Sequence, residues 1–305
     1  MLGDGTKMKS ADFEGKLAVT AKAVGAFLDD ILQSHQLVAG TPQKLLGAMR
    51  HGVLNGGKRL RPFLVIETAK MFSGDSKAAM QVGAALECVH SYSLVHDDLP
   101  AMDDDDLRRG KPTVHKAFDE ATAILAGDAL LTLSFGLIAS CDKIPAEARA
   151  ALVVLLAKRG GAPGMVGGQM LDIQAGDSRS EIEITRMQAM KTGALISCSC
   201  EAGALLSGAC DDDRARLRRF GDTIGLAFQL ADDLLDEYGE AEVVGKATGK
   251  DQAKGKRTLG QIYGRRALQD RLDALESTAE ELLEPYGERA ELLLEAARFV
   301  VWRKH

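Results

Sequence analysis

Two short aspartate clusters hold the chemistry that this chain can be expected to perform. The first, DDLPAMDDDD, runs from Asp97 to Asp106, with Arg108 and Arg109 close behind it. The second is DDLLD, Asp232 to Asp236. Carboxylates at this density repel one another unless cations lie between them. An all-oxygen donor set suits a hard ion such as Mg²⁺, which takes one or two carboxylates and completes its shell with water and substrate phosphate. The neighbouring arginines point to a phosphate as the completing group. The competing reading is an acidic loop that merely faces solvent.

The second cluster argues against that competitor. Asp232 and Asp236 stand four residues apart, about 400° around a helix, so they share a face. Gln229 lies one turn earlier on nearly the same face. Ile224, Leu226, Ala227, Phe228, Leu230, Ala231, Leu234 and Leu235 surround them, and a helix this apolar is expected to be largely buried. Buried carboxylates are paired, protonated or metal-bound, and no basic partner stands nearby in sequence. Asp233 belongs to the same cluster. Geometry differs in the first one. Asp97 and Asp103 are six residues apart, about 600° on an unbroken helix, which would aim them in different directions. Pro100 supplies a break, and the loop after it can fold Asp103 back beside Asp97, with Asp98 adjacent. Asp104 to Asp106 are expected to face solvent or cap local structure.

Basic groups come in three places. In GGKRLRP, Gly56 to Pro62, paired glycines allow close backbone approach to a ligand. Lys58, Arg59 and Arg61 are donors for a polyanion, and the helix that follows adds its positive end. The spacing is not that of a P-loop, and no strand precedes it. His90, on the same expected helix as Asp97, either donates to that anion or is an ordinary satisfied helix histidine. Lys191 and Thr192 precede an apolar stretch from Ala194 to Leu206. Lys246 and Lys256 fall in a Gly- and Lys-rich segment after the second cluster, suited to a mobile lid that excludes water.

The elements that must position these groups read as helices. Of 305 residues, 46% are hydrophobic and only 7 are proline, and apolar residues recur at helical spacing with almost no strand signal. Helices are expected over Asp12–Gln36, from Pro42, from Pro62 to about Phe72, Ser76–Asp98, His115–Ser140, Ser180–Gly208 and Asp212–Tyr238, with two more in the last 45 residues. A single all-α domain over 11–305, behind a tail of 1–10, is the economical reading, with a central cavity among inward-facing side chains. Gly167-Gly168, Gly221 and Gly225 lie inside helical runs; helix contact or room for a ligand would explain them. A net charge of −6 with no basic tail opposes nucleic-acid binding. No apolar run reaches the ~18 residues of a membrane span, and the N-terminus carries no apolar export segment. The 5 scattered cysteines fit reduced thiols in the cytoplasm.

Taken together, GGKRLRP, SLVHDDLPAMDDDDLRRGKPTVH, AGDALL, KTGALI and FQLADDLLD, in that order, resemble the trans-isoprenyl diphosphate synthases, most nearly the bacterial farnesyl type. The resemblance runs from about Met49 to the C-terminus. It implies an isoprenoid-synthase fold, a homodimer and three Mg²⁺ ions per site, or Mn²⁺ in their place. It also implies head-to-tail condensation of isopentenyl diphosphate with dimethylallyl and geranyl diphosphates to give farnesyl diphosphate. By position, Lys58, Arg61, His90 and Arg109 would bind isopentenyl diphosphate. Asp97 and Asp103, with Asp98 nearby, would hold two ions; Asp232 would hold the third, with Asp233 and Asp236 acting through water. Arg108, Lys191, Lys246 and Lys256 would hold the allylic diphosphate, with Thr192 and Gln229 beside its reactive carbon. Tyr92, five residues before Asp97 and about 7.5 Å down the helix axis, would close the product pocket at fifteen carbons. Rival readings are a geranyl or geranylgeranyl synthase, a class I terpene cyclase, a phosphohydrolase built on His96-Asp97, and a regulatory subunit without activity of its own.

Overall fold

Helical periodicity dominates the structure, a computed structural model that describes residues 5–174, 180–238 and 259–302. The helices are α1 (Gly5–Ser34), α2 (Gln43–Val53), α3 (Leu60–Met71), α4 (Ser76–Asp97), α5 (Val114–Ala117), α6 (Glu120–Ala139), α7 (Ala146–Gly160), α8 (Met165–Ile173), α9 (Glu181–Gln188), α10 (Ala194–Leu206), α11 (Asp211–Tyr238), α12 (Leu259–Leu283) and α13 (Glu291–Trp302). A π-helical turn, Ala189–Gly193, joins α9 to α10. Among the described residues the strands are β1 (Leu107–Arg108) and β2 (Lys111–Pro112), one antiparallel hairpin. The chain forms two compact units: Glu14–Val154 with Leu205–Gly208, and Met1–Phe13 with Leu155–Ala204 and Ala209–His305.

In the first unit α4 packs on α2, α3 and α6. It starts where the Asp75 carboxylate accepts from the amides of Lys77 and Ala78, an N-cap that satisfies two otherwise unpaired donors. Val82, Leu86, Val89, Tyr92 and Val95 run along its buried length, against Phe63, Leu64, Leu130 and Leu137 from its neighbours. Two expected boundaries move. Pro42 is the N-cap of α2, so the helix expected from Pro42 begins at Gln43. The single helix expected from His115 to Ser140 is two, because Phe118 and Asp119 leave the helical region and Asp119 caps α6 through the Thr122 amide. Lys44 at 2.6 Å and the Thr122 donors hold the Asp119 carboxyl down at about 2. α6 is long and apolar enough to pass for a membrane span, with mean hydropathy 1.8. Asp128 interrupts it, and Ala123, Ala126, Leu130, Leu133 and Leu137 are buried.

In the second unit α11 packs on α12, α13 and the π turn. Leu217, Phe220, Ile224 and Leu230 on α11 and Leu268, Leu272, Leu293 and Val300 on α12 and α13 are buried. Ser180 and Glu183 form a reciprocal capping box that starts α9. The interior glycines are contact glycines. A Cβ on Gly225 would lie 2.8 Å from the Gly193 Cα, one on Gly221 would lie 2.5 Å from the Ser197 Cα, and one on Gly168 would overlap the Lys191 amide nitrogen. Backbone meets backbone here, so the π turn is seated directly on α8 and α11. Cys88, Cys141, Cys198 and Cys200 are buried free thiols, and burial pushes Cys88 and Cys198 up to about 12.

Gly225→Ala should therefore lower stability by ~1–3 kcal/mol, the usual cost of overpacking. Gly25→Ala in α1, where an added methyl meets nothing within 4 Å, should be neutral or stabilising by up to ~1 kcal/mol. Urea unfolding of the two variants side by side checks this.

Candidate active site

The first-unit site is built on a turn, a hairpin and a helix end. After α2 the chain passes through Gly56 and Gly57, both at positive φ, and reaches Arg59 in the left-handed region (φ 51°, ψ 40°) as the N-cap of α3. Turning there leaves Lys58 exposed and Arg59 buried. Arg59 donates from one guanidinium nitrogen to Glu87 of α4 and from another to the Val53 carbonyl, each at 2.5 Å. The hairpin turn is Arg109-Gly110, with φ of 53° and 75°. Positive φ at both central residues is the type I′ geometry that matches strand twist. It brings the Arg109 guanidinium onto the Gly56 carbonyl, where any side chain on Gly57 would collide with it. Asn55 donates to the Arg108 carbonyl at 3.2 Å and completes the tie between the two loops.

Arg61 and His90 complete this basic cluster. The Arg61 Nε is buried with no hydrogen-bond partner, an arrangement that an arriving anion would satisfy. Burial, with Arg109 adding to it, lowers the Arg61 pKa, while Glu87 opposes the change. Burial and the charges of Arg61, Arg109, Arg59 and Arg108 drive His90 well below its ordinary 6.5. Like charges gathered in a partly desolvated place, with one orphaned donor, suit a polyanion such as a diphosphate.

The carboxylates lie where α4 ends. The Asp103 amide donates to the Asp97 carbonyl at 2.8 Å and the Asp104 amide to the Leu99 carbonyl at 3.2 Å. The loop after Pro100 thus folds Asp103 back beside Asp97, as the six-residue spacing required. Asp98 is committed differently: its carboxylate accepts the Arg108 Nε at 2.7 and 2.9 Å. Burial lifts the Asp98 pKa, with Arg108 pulling against it. The exposed Asp104 and Asp106 gather with the buried His115, their ligand-type atoms all within 4.8 Å, and Lys116 pairs with Asp106 at 2.8 Å. His96 is a packing residue. It donates to the Ile124 carbonyl at 3.0 Å, and a Cβ on Gly127 would overlap its ring. The buried Tyr92 meets it edge-on, with centroids 5.7 Å apart.

In the second unit the aspartates differ from expectation. Asp232 is exposed and Asp236 half-buried; the buried carboxylate is Asp233, which accepts from the Leu259 amide at 3.1 Å and from Gln188 at 3.4 Å. An apolar helix buries most of its circumference, but the Asp232 position looks outward from the packed side. Lys191 pairs with the buried Asp172 at 2.8 Å. Contact between the π turn and α11 places Thr192 and Gln229 on adjoining elements. Lys246 and Lys256 lie outside the described residues. Sequence reasoning passed over Asp172, Gln188 and Glu87, the last an isolated polar letter in an apolar run. Such a letter in a helix with no polar stripe is the signal for a buried partner.

Hard-oxygen donors are therefore present in the right types at both clusters. Asp97 and Asp103 on one turn, and Asp232 and Asp236 four residues apart on α11, fit divalent cations that keep several waters. The polyprenyl synthetase family pattern matches residues 42–291. The chain belongs to that family. Its farnesyl diphosphate synthase relative in Bacillus subtilis (strain 168) is 41% identical over 267 residues, covering 87% of this chain and 90% of that one. A chloroplastic geranylgeranyl pyrophosphate synthase of Catharanthus roseus is 37% identical, covering 96% and 82%. An apo crystal structure of an FPP/GFPP synthase from Zymomonas mobilis superposes with a TM-score of 0.85 at 39% identity, covering 96% and 99%. This polyprenyl synthetase is thus a trans-prenyltransferase with the all-α isoprenoid-synthase fold.

His90 makes a pH test of the basic cluster. Its folded pKa is depressed, so the unfolded chain takes up a proton first as pH falls below about 6.5. Stability is full above that value and declines below it, by at most ~1.4 kcal/mol per pH unit for one proton, until the depressed folded value is reached. Urea midpoints between pH 7 and pH 5 should fall less in His90→Gln than in the wild type.

Proposed function

We propose that this prenyltransferase joins isopentenyl diphosphate to dimethylallyl diphosphate and then to geranyl diphosphate, head to tail, releasing farnesyl diphosphate. The observation that carries the reading is the basic cluster of Lys58, Arg61, His90 and Arg109, with the Arg61 Nε buried and unpartnered. A terpene cyclase, which ionises one diphosphate, has no use for a second phosphate cradle. The His96 contacts likewise leave a phosphohydrolase without its metal ligand.

In this reading Lys58, Arg61, His90 and Arg109 bind isopentenyl diphosphate. Arg108 and Lys191, with Lys246 and Lys256, bind the allylic diphosphate. Three Mg²⁺ ions, or Mn²⁺, would be held by Asp97 and Asp103 and by Asp232 with Asp236, and when bound supply Lewis-acid stabilisation of the departing pyrophosphate. Asp233, engaged with Gln188 and the Leu259 amide, serves by fixing α11 under Asp232; Asp98 does the same for Arg108. Preorganised cations stabilise charge as it develops on the leaving group. The allylic C–O bond breaks, the isopentenyl double bond attacks the resulting cation, and a proton passes to pyrophosphate as the new alkene forms. Thr192 and Gln229 present oxygen dipoles to the cation, and exclusion of water keeps it from being trapped.

The buried ring of Tyr92, wedged by His96, supports a pocket closed at fifteen carbons. Geranyl and geranylgeranyl diphosphates are the alternative products, the latter named for a relative that is 37% identical. We place the enzyme in the cytoplasm as a homodimer. Ile124 and Leu125 on α6 are 45% and 56% exposed in the single chain, an apolar face that a second copy would cover.

Purified protein given both five-carbon substrates and Mg²⁺ should yield farnesol after dephosphorylation and chromatography; hydrocarbon from an allylic diphosphate alone would instead indicate a cyclase. Tyr92→Ala should shift the main product to twenty carbons or longer, read from the same chromatogram, and unchanged fifteen-carbon output removes Tyr92 from this role. Asp97→Ala and Asp232→Ala should each lower kcat by ~100-fold or more, the scale of several kcal/mol of lost charge stabilisation, while circular dichroism stays that of the wild type.

A further inference from the structure

Arg59 sits among the cations of the basic cluster, yet its guanidinium is bonded inside the fold. It is 5% exposed and its partner Glu87 is 2% exposed. Two of its guanidinium nitrogens are used, one on the Glu87 carboxylate of α4 and one on the Val53 carbonyl at the end of α2. One side chain therefore fastens the end of one helix to the middle of another. Its own backbone is in the left-handed region, which is unfavourable for a non-glycine residue. That conformation turns the chain between Lys58, which is exposed, and Arg61, which is the inward donor. The carbonyl of Gly56, just before this turn, is what Arg109 grips. Glu87 has a second relation to the cluster: its charge acts on Arg61 and Arg109 against the repulsion between arginines.

We propose that the buried Arg59–Glu87 pair is a positioning device that holds the Gly56–Arg61 turn in the shape that presents Lys58, Arg61 and Arg109 to one diphosphate. It rests on the reading that this cluster binds isopentenyl diphosphate. Arg59 and Glu87 touch no substrate; they act through the three donors. Removing either partner leaves a buried charge unpaired and frees the turn to relax out of its left-handed conformation.

The test combines kinetics with direct binding on the full-length enzyme. Glu87→Gln keeps the shape of the side chain and loses its charge. Its KM for isopentenyl diphosphate should rise roughly tenfold or more, the scale of one charge-assisted hydrogen bond. The KM for geranyl diphosphate, and kcat at saturation, should stay within ~3-fold of wild type, since no donor has been removed. Calorimetric titration with isopentenyl diphosphate in the absence of metal should show the same loss of affinity. Arg59→Lys, which keeps the charge but cannot reach Glu87 and Val53 together, should reproduce the split and covers the case in which Glu87→Gln fails to fold. Unchanged affinity in a folded variant overturns the proposal. So does tighter binding in Glu87→Gln, which would make Glu87 a mere counter-charge, and so does an equal loss in kcat and both KM values. If the wild type itself fails to bind isopentenyl diphosphate, the functional reading falls, and that result is distinct from all of these.

Discussion

Like charges held close together are the constraint on which the rest of this molecule depends. The aspartates within each cluster, and the arginines within their knot, repel one another, so the fold has to supply force that keeps them close. It does so with apolar packing: α4 lies against α2, α3 and α6, and α11 against α12 and α13. Within this frame several charges are already matched. Asp98 holds Arg108, Asp172 holds Lys191, and Glu87 holds Arg59. Asp233 accepts from a backbone amide and a carboxamide.

The backbone contributes as much as the side chains. Gly168, Gly221 and Gly225 let α8, the π turn and α10–α11 touch through main chain. A π turn widens the helix and is often found where a helix carries function; here it bears Lys191 and Thr192. Small residues on both sides of a contact leave little room for sliding, because there is no side-chain rotamer to adjust. Left-handed Arg59 and Arg109 do for the loops what glycine does for the helices, and each is held by a side-chain bond made elsewhere.

Much of this was readable from residue order. The paired glycines Gly56-Gly57 and Pro100 are strong local signals, so a helix soon after the first, which begins at Leu60 rather than Pro62, the end of α4 and the return of Asp103 to Asp97 followed from them. The helix over Asp211–Tyr238 follows from its apolar spacing. What escaped was decided by three-dimensional partners. Phe118-Asp119 contains no glycine or proline, yet an N-cap bond to Thr122 and the ion pair to Lys44 split the expected helix there. Helical periodicity marked the Asp232 neighbourhood as apolar but could not say which of two adjacent aspartates points inward. The roles of Glu87, Asp172 and Gln188 depend on residues 19 to 45 positions away in sequence, a separation at which local pattern is silent.

The distribution of sulfur has a practical outcome. Four of the cysteines are enclosed, while Cys210, next to the start of α11 and hydrogen-bonded to Asp213 at 3.1 Å, is exposed. A maleimide dye should thus attach at one place on the native polypeptide without any engineering. The label would sit at the far end of the helix that carries Asp232 to Asp236, about 35 Å from them at 1.5 Å per residue. A fluorophore so placed reports on the molecule from outside its reactive region.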